Sequence, residues 1–143
     1  MLSALRKIAS LSREERQLLA TTTVSLVASR SLLTIVGLDP THRALDLLVR
    51  ALPPYRRVRD PRRVPWAVNT VDTALPIYFS CLMRAVVGER LFDANGYRTE
   101  IRLGVAKDEA FEAHAWVIHE GEVVIGEVDD HARFRLLDSY CPK

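Results

Sequence analysis

Residues 80–105 read Ser80-Cys81-Leu82-Met83-Arg84-Ala85-Val86-Val87-Gly88-Glu89-Arg90-Leu91-Phe92-Asp93-Ala94-Asn95-Gly96-Tyr97-Arg98-Thr99-Glu100-Ile101-Arg102-Leu103-Gly104-Val105, and the hydrophobic period changes within them. Ser80 is a natural N-cap, because its hydroxyl can accept an otherwise unpaired first-turn N–H. Cys81, Ala85, Gly88 and Phe92 then recur at helical spacing on one face, and Asn95-Gly96 supplies the stop. From Tyr97 to Val105, apolar or hydroxyl residues alternate with Arg98, Glu100, Arg102 and Gly104, which predicts a half-buried strand. The small residues of the helix stripe would let the helix lie close on what it covers.

Downstream of a loop at Ala106–Glu112, two further strands are expected, Ala113–His119 and Glu122–Val128, joined at Glu120-Gly121 as a hairpin. A two-residue turn sets Trp116 opposite Ile125, Ile118 opposite Val123 and His114 opposite Glu127. A shift by one residue mixes apolar and charged side chains on one face, so the first register is preferred.

Upstream, Ser12-Arg13-Glu14-Glu15 has the form of a capping box, and apolar and hydroxyl residues follow at three- and four-residue steps until Gly37. Asp39-Pro40 opens a second helix that ends at Pro53-Pro54. The stretch Tyr55–Pro65 carries five arginines and two prolines, a basic connector. Arg56, Arg57, Arg59, Arg62 and Arg63 form either a solvated linker or a docking surface for an acidic partner. Pro65 is expected to begin a short helix through Leu75, with Pro76 breaking it and Ile77–Phe79 extended. Helices first and antiparallel strands second make an α+β layout, divided into a helical part with its connector, residues 1–63, and a core, residues 64–143.

The chain of 143 residues is 48% hydrophobic and 27% charged, ordinary values for one globular domain, and disorder as a class is excluded. Two cysteines, Cys81 and Cys141, make no disulfide framework and suit a reducing, cytoplasmic setting, with Cys141 an incidental thiol. The net charge of +2 hides an asymmetry: residues 1–63 hold twelve Lys/Arg against five acids, +7, and residues 64–143 hold eight against thirteen, −5. The uncharged run Gln17–Ser29 is shorter than the roughly 20 residues of a membrane span and shows no cleavage pattern, so neither stable membrane insertion nor secretion is expected.

The chemistry centres on Cys81. A helix N-terminus favours a thiolate through unpaired N–H groups and the positive end of its peptide dipoles. The thiol also needs a base, and His114 is expected on the strand face turned toward this helix, with His119 on the other face. The imidazole needs a partner to set its tautomer, for which Glu127 stands first by the cross-strand pairing and Asp129 next. Trp116 either walls a substrate cleft or is plain core, and Trp66 is read as packing. Ser80 stands beside the nucleophile on the substrate side. There is no glycine-rich phosphate loop and no H-E-x-x-H, and His114 and His119 lie on opposite faces, so no metal, cofactor or nucleic acid enters the reading.

The segments Ser80-Cys81-Leu82-Met83-Arg84-Ala85, Tyr97–Val105 and Ala113-His114-Ala115-Trp116-Val117 together resemble the leader peptidases of lasso-peptide biosynthesis, which are similar to transglutaminases in core fold. The resemblance is strongest from Val64 to Leu137. It implies a transglutaminase-like, papain-like core with the nucleophile helix packed on a small antiparallel sheet, Cys81 as nucleophile and His114 as base. It also implies a cysteine protease that removes the leader of a ribosomally made precursor peptide. A separate small leader-recognition protein and an asparagine-synthetase-like cyclase would be its partners. That family carries an Asp on the strand after the His, whereas Val123–Glu127 contains none. Glu127, Asp129 or Asp130, or a backbone carbonyl, could take that place. A non-catalytic module that holds a peptide in the same cleft is the competing reading.

Overall fold

The computed structural model describes residues 2–51, 58–107, 110–127 and 134–140. Helix α1 covers Leu2–Ala9 and α2 Arg13–Val36, and α2 starts where the capping box predicts. The Ser12 Oγ accepts from the Glu15 amide at 3.1 Å, and the Ser12 amide donates to Glu15 Oε2 at 2.9 Å. The helix stops at Gly37, whose φ of 82° a glycine adopts without a Cβ clash. Helix α2 is long and apolar enough to cross a membrane by length and composition. Its Leu18, Thr22, Ser25, Leu26 and Ser29 face is nevertheless buried against the helices that follow, and Thr22 and Ser29 return their hydroxyl protons to the carbonyls of Leu18 and Leu26.

Helix α3 covers Leu38–Ala51, beginning one residue before the expected Asp39 cap; Pro53-Pro54 lie outside the described residues. Helix α4 covers Arg63–Ala74, two residues ahead of the Pro65 start read from the sequence. The first turn tolerates a proline because its missing N–H has no intrahelical acceptor there. Leu75 is extended before Pro76, as the proline requires. Helix α5, Cys81–Ala94, has Ser80 in extended geometry at its N-cap, with the Ser80 Oγ accepting from the Met83 amide at 3.2 Å.

Four antiparallel strands follow: β1 Glu100–Lys107, β2 Phe111–His119, β3 Glu122–Ile125 and β4 Arg135–Tyr140, in the order β3-β2-β1-β4. Strand β4 has no counterpart in the sequence reading, β1 starts three residues later than Tyr97, and β3 stops at Ile125 short of Val128. Glu120 and Gly121 both have positive φ, the geometry of the two-residue hairpin turn. The predicted pair Ile118↔Val123 is present, but the register then shifts and Ile125 pairs with Val117, not with Trp116. The bulge cancels the predicted pairing of His114 with Glu127, because β3 has ended before that level.

One core joins the helices to a single face of the sheet. Leu26, Leu45, Val49, Val68, Val86 and Phe92 belong to the same buried cluster as Ile101, Ala115, Val117 and Ile125. Gly88 is where α5 meets the sheet, since a Cβ there would collide with the Ile125 side chain. The other face carries a smaller cluster of Ala106, Trp116 and Phe134.

Candidate active site

The segment leading into α5 is pinned at two points. Phe79 is buried in the core, and the Arg30 guanidinium of α2 donates to the Tyr78 carbonyl at 2.8 Å, while the Tyr78 ring itself is exposed. These contacts present Cys81, a half-buried free thiol, at the first residue of α5. The Met83 amide is taken by Ser80 Oγ and the Arg84 amide by the Ser80 carbonyl. The Cys81 and Leu82 amides are thereby left as the donors of the first turn that could meet a developing oxyanion. Ser80 thus stands in the structure as the N-cap of α5.

His114 lies on β2, half-buried, with Nε2 at 2.6 Å from the Gly126 carbonyl. A carbonyl only accepts, so Nε2 carries the proton of the neutral ring and Nδ1 is the proton-accepting nitrogen. The ring stacks on Trp116 at a centroid distance of 5.7 Å and tilts against Phe134 at 5.4 Å. Trp116 is itself buried, over Gly104, where a Cβ would lie 2.8 Å from the indole.

The expected facing of β2 is corrected by these contacts. Ala115 and Val117 turn toward α5, whereas His114 and Trp116 turn to the face covered by Phe134. His119, expected on the far side, stacks on Phe92 of α5 at 5.5 Å. The reason is size: α5 approaches closely at Ala85 and Gly88, leaving room for Ala and Val but not for an indole. No hydrogen bond links the Cys81 thiol to His114.

The two residues do share one end of the layer. Phe92 of α5 sits on His119, and Gly88 sits on Ile125, the partner of Val117. From Phe92 back to Cys81 the helix covers about 16 Å at 1.5 Å per residue. From His119 back to His114 the strand covers about the same at 3.3 Å per residue. Both reach the same level, where β3 has already ended and, among the described residues, no strand lies beside that stretch of β2 on the β3 side.

Glu127 is exposed, past the end of β3. Asp129 and Asp130 lie outside the described residues, as do Arg56, Arg57 and Cys141. Of the remaining connector arginines, Arg62 pairs with Asp60 at 3.2 Å, and Arg63 pairs with Glu15 at 3.1 Å and lies over the Trp66 ring. Trp66 itself packs against the core. Among the described residues no group of three or more His, Cys, Asp or Glu could hold a metal ion.

Sequence reasoning ranked Glu127 ahead of a carbonyl as the partner of His114 and missed Phe134 over its ring. Every residue offers a carbonyl, so no residue type marks the first; the glycine directly after a strand, at φ 80°, is the nearest signal. It also missed a buried charge cluster between α5 and α3. His42 Nε2 lies 2.7 Å from Glu89 Oε2, and Arg90 binds Glu89 at 2.6 Å and Asp46 at 3.1 Å. Burial pushes the Glu89 carboxyl up, but the hydrogen bonds and charges of His42 and Arg90 outweigh it and hold the group below its ordinary range.

In comparison with known families, the transglutaminase-like superfamily matches residues 23–139. No curated protein and no solved structure matches the chain.

Proposed function

We propose, from the premise that this chain belongs to the transglutaminase-like superfamily, that it is a cysteine peptidase of the cytoplasm which removes the leader of a ribosomally made precursor during lasso-peptide maturation. The observation that carries this reading is Cys81 at the capped first residue of α5, the helix that packs on β2, the strand of His114. In the reaction the Cys81 Sγ–H proton passes to His114 Nδ1, and the thiolate adds to the scissile carbonyl carbon. The Cys81 and Leu82 amides meet the oxyanion. Collapse breaks the C–N bond as the imidazolium returns its proton to the departing amine. Water then adds to the thioester, with His114 taking its proton, and the peptide acid leaves as the thiol reforms. The step requires the His114 side chain to leave the Gly126 carbonyl and turn from the Phe134 face toward the start of α5.

The leader would be presented by a separate small recognition protein, with the connector arginines Arg56, Arg57, Arg59, Arg62 and Arg63 proposed as the residues it docks on. The freed amine would pass to an asparagine-synthetase-like cyclase. The test is cleavage of a precursor peptide whose gene lies beside this one, read by mass spectrometry with the recognition protein added. Wild type is expected to release the leader, and Cys81→Ala and His114→Ala to bind the precursor without cutting it. Cleavage that survives either substitution sinks the reading. A second, non-catalytic reading, a peptide-holding module of the same fold, is favoured by one observation: His114 and the helix of Cys81 lie on opposite faces of the sheet. It requires that wild type, too, bind without cutting.

A further inference from the structure

At the other end of α5, away from Cys81, a cavity of about 440 Å³ opens beside β3, the edge strand of the sheet. Phe92, Val124, Pro61 and Pro65 give it apolar walls. Its polar lining is acceptor-rich. His119 Nδ1 lies 2.8 Å from the Arg98 carbonyl, so that nitrogen donates and Nε2 is the bare acceptor of the neutral ring. Nε2 lies 4.0 Å from Glu120, and Glu122 adds a second exposed carboxylate to the lining. Arg62 also lines the cavity, but its guanidinium is engaged by Asp60.

We propose that this cavity takes the lysine or arginine side chain of an extended peptide laid along the edge of β3. The charge and shape agree with that occupant. A long basic side chain buries an aliphatic stem and keeps its cationic head polar, which matches apolar walls ending in two carboxylates and an imidazole acceptor. An edge strand offers unpaired backbone groups to which a peptide strand can add, leaving alternate side chains to enter a flanking pocket. The site stands apart from the cleavage chemistry and holds whether or not Cys81 is a nucleophile.

The test is fluorescence anisotropy of a labelled octapeptide of alternating lysine and valine, titrated with the full chain. Saturable binding is expected, equal in Cys81→Ala, and absent for the analogues carrying serine or glutamate at the lysine positions. Glu120→Gln and Glu122→Gln should each weaken it by about tenfold, the loss of one charge-assisted hydrogen bond. Glu14→Gln removes the same charge from exposed α2 and should leave it unchanged. Equal loss in Glu14→Gln, equal binding of the serine analogue, or no saturable binding overturns the proposal. So does dimerisation of the chain that excludes the peptide, which assigns the edge to a second copy.

Discussion

Gly126 holds the conformation on which the His114 tautomer depends. Its φ is 80°, and a Cβ there would stand 2.7 Å from the Ala115 carbonyl and 3.2 Å from Trp116 Cα. Gly126→Ala is therefore strained twice, by backbone conformation and by contact with rigid main chain, and should cost about 1–3 kcal/mol. Urea denaturation measures the cost. Nitrogen chemical shifts of the imidazole report the second effect, loss of the Nε2–H form as the carbonyl moves away. Which histidine lay near the helix was not legible from alternation. A period of two says that His114 and His119 face opposite ways, and leaves open which face the helix covers. The bulk of Trp116 against the smallness of Ala115 decided it.

At the scale of elements, α5 is clamped at two points by different physics. Its N-terminus is set by the Ser80 cap and the buried Phe79, and its middle by the ionic cluster that ties Glu89 and Arg90 to His42 and Asp46 of α3. Glu89 titrates below its ordinary 4.5 in the fold. Its contribution to stability is therefore complete above that value and is lost as pH falls through the folded-state pKa. The thermal midpoint of the wild type should drop on acidification from pH 5 to pH 3, and Glu89→Gln should flatten that part of the profile. At neutral pH the same variant should be less stable by about 1.5–3 kcal/mol, because it removes the carboxylate that Arg90 holds at 2.6 Å and leaves that guanidinium to Asp46 and Asp93. A midpoint that falls equally in both proteins assigns the acid sensitivity elsewhere. The caps of α2 and α5 were readable because each is a contact within four residues. The ionic cluster was not, since His42 and Glu89 are 47 residues apart and nothing local marks either as buried.

Over the whole molecule, the charge-rich amino-terminal helices and the sheet are not independent layers. Leu26 of α2 and Leu45 and Val49 of α3 fill the same core as Val68, Val86 and Phe92. A chain cut to residues 64–143 exposes that surface and should lose its cooperative thermal transition by circular dichroism and bind a hydrophobic dye. A sharp transition in the fragment would show a self-sufficient second half. By itself the sequence determined what rests on neighbours: the helix caps, the change of period at Tyr97, the Glu120-Gly121 turn, and the motif run holding Cys81 and His114. Tertiary structure alone decided the bulge after Ile118, the fourth strand, the face of the sheet that α5 covers, and the carbonyl bonded to His114. Those depend on which bulky groups fit between layers, and steric fit between distant segments leaves no mark on the spacing of residues along one of them.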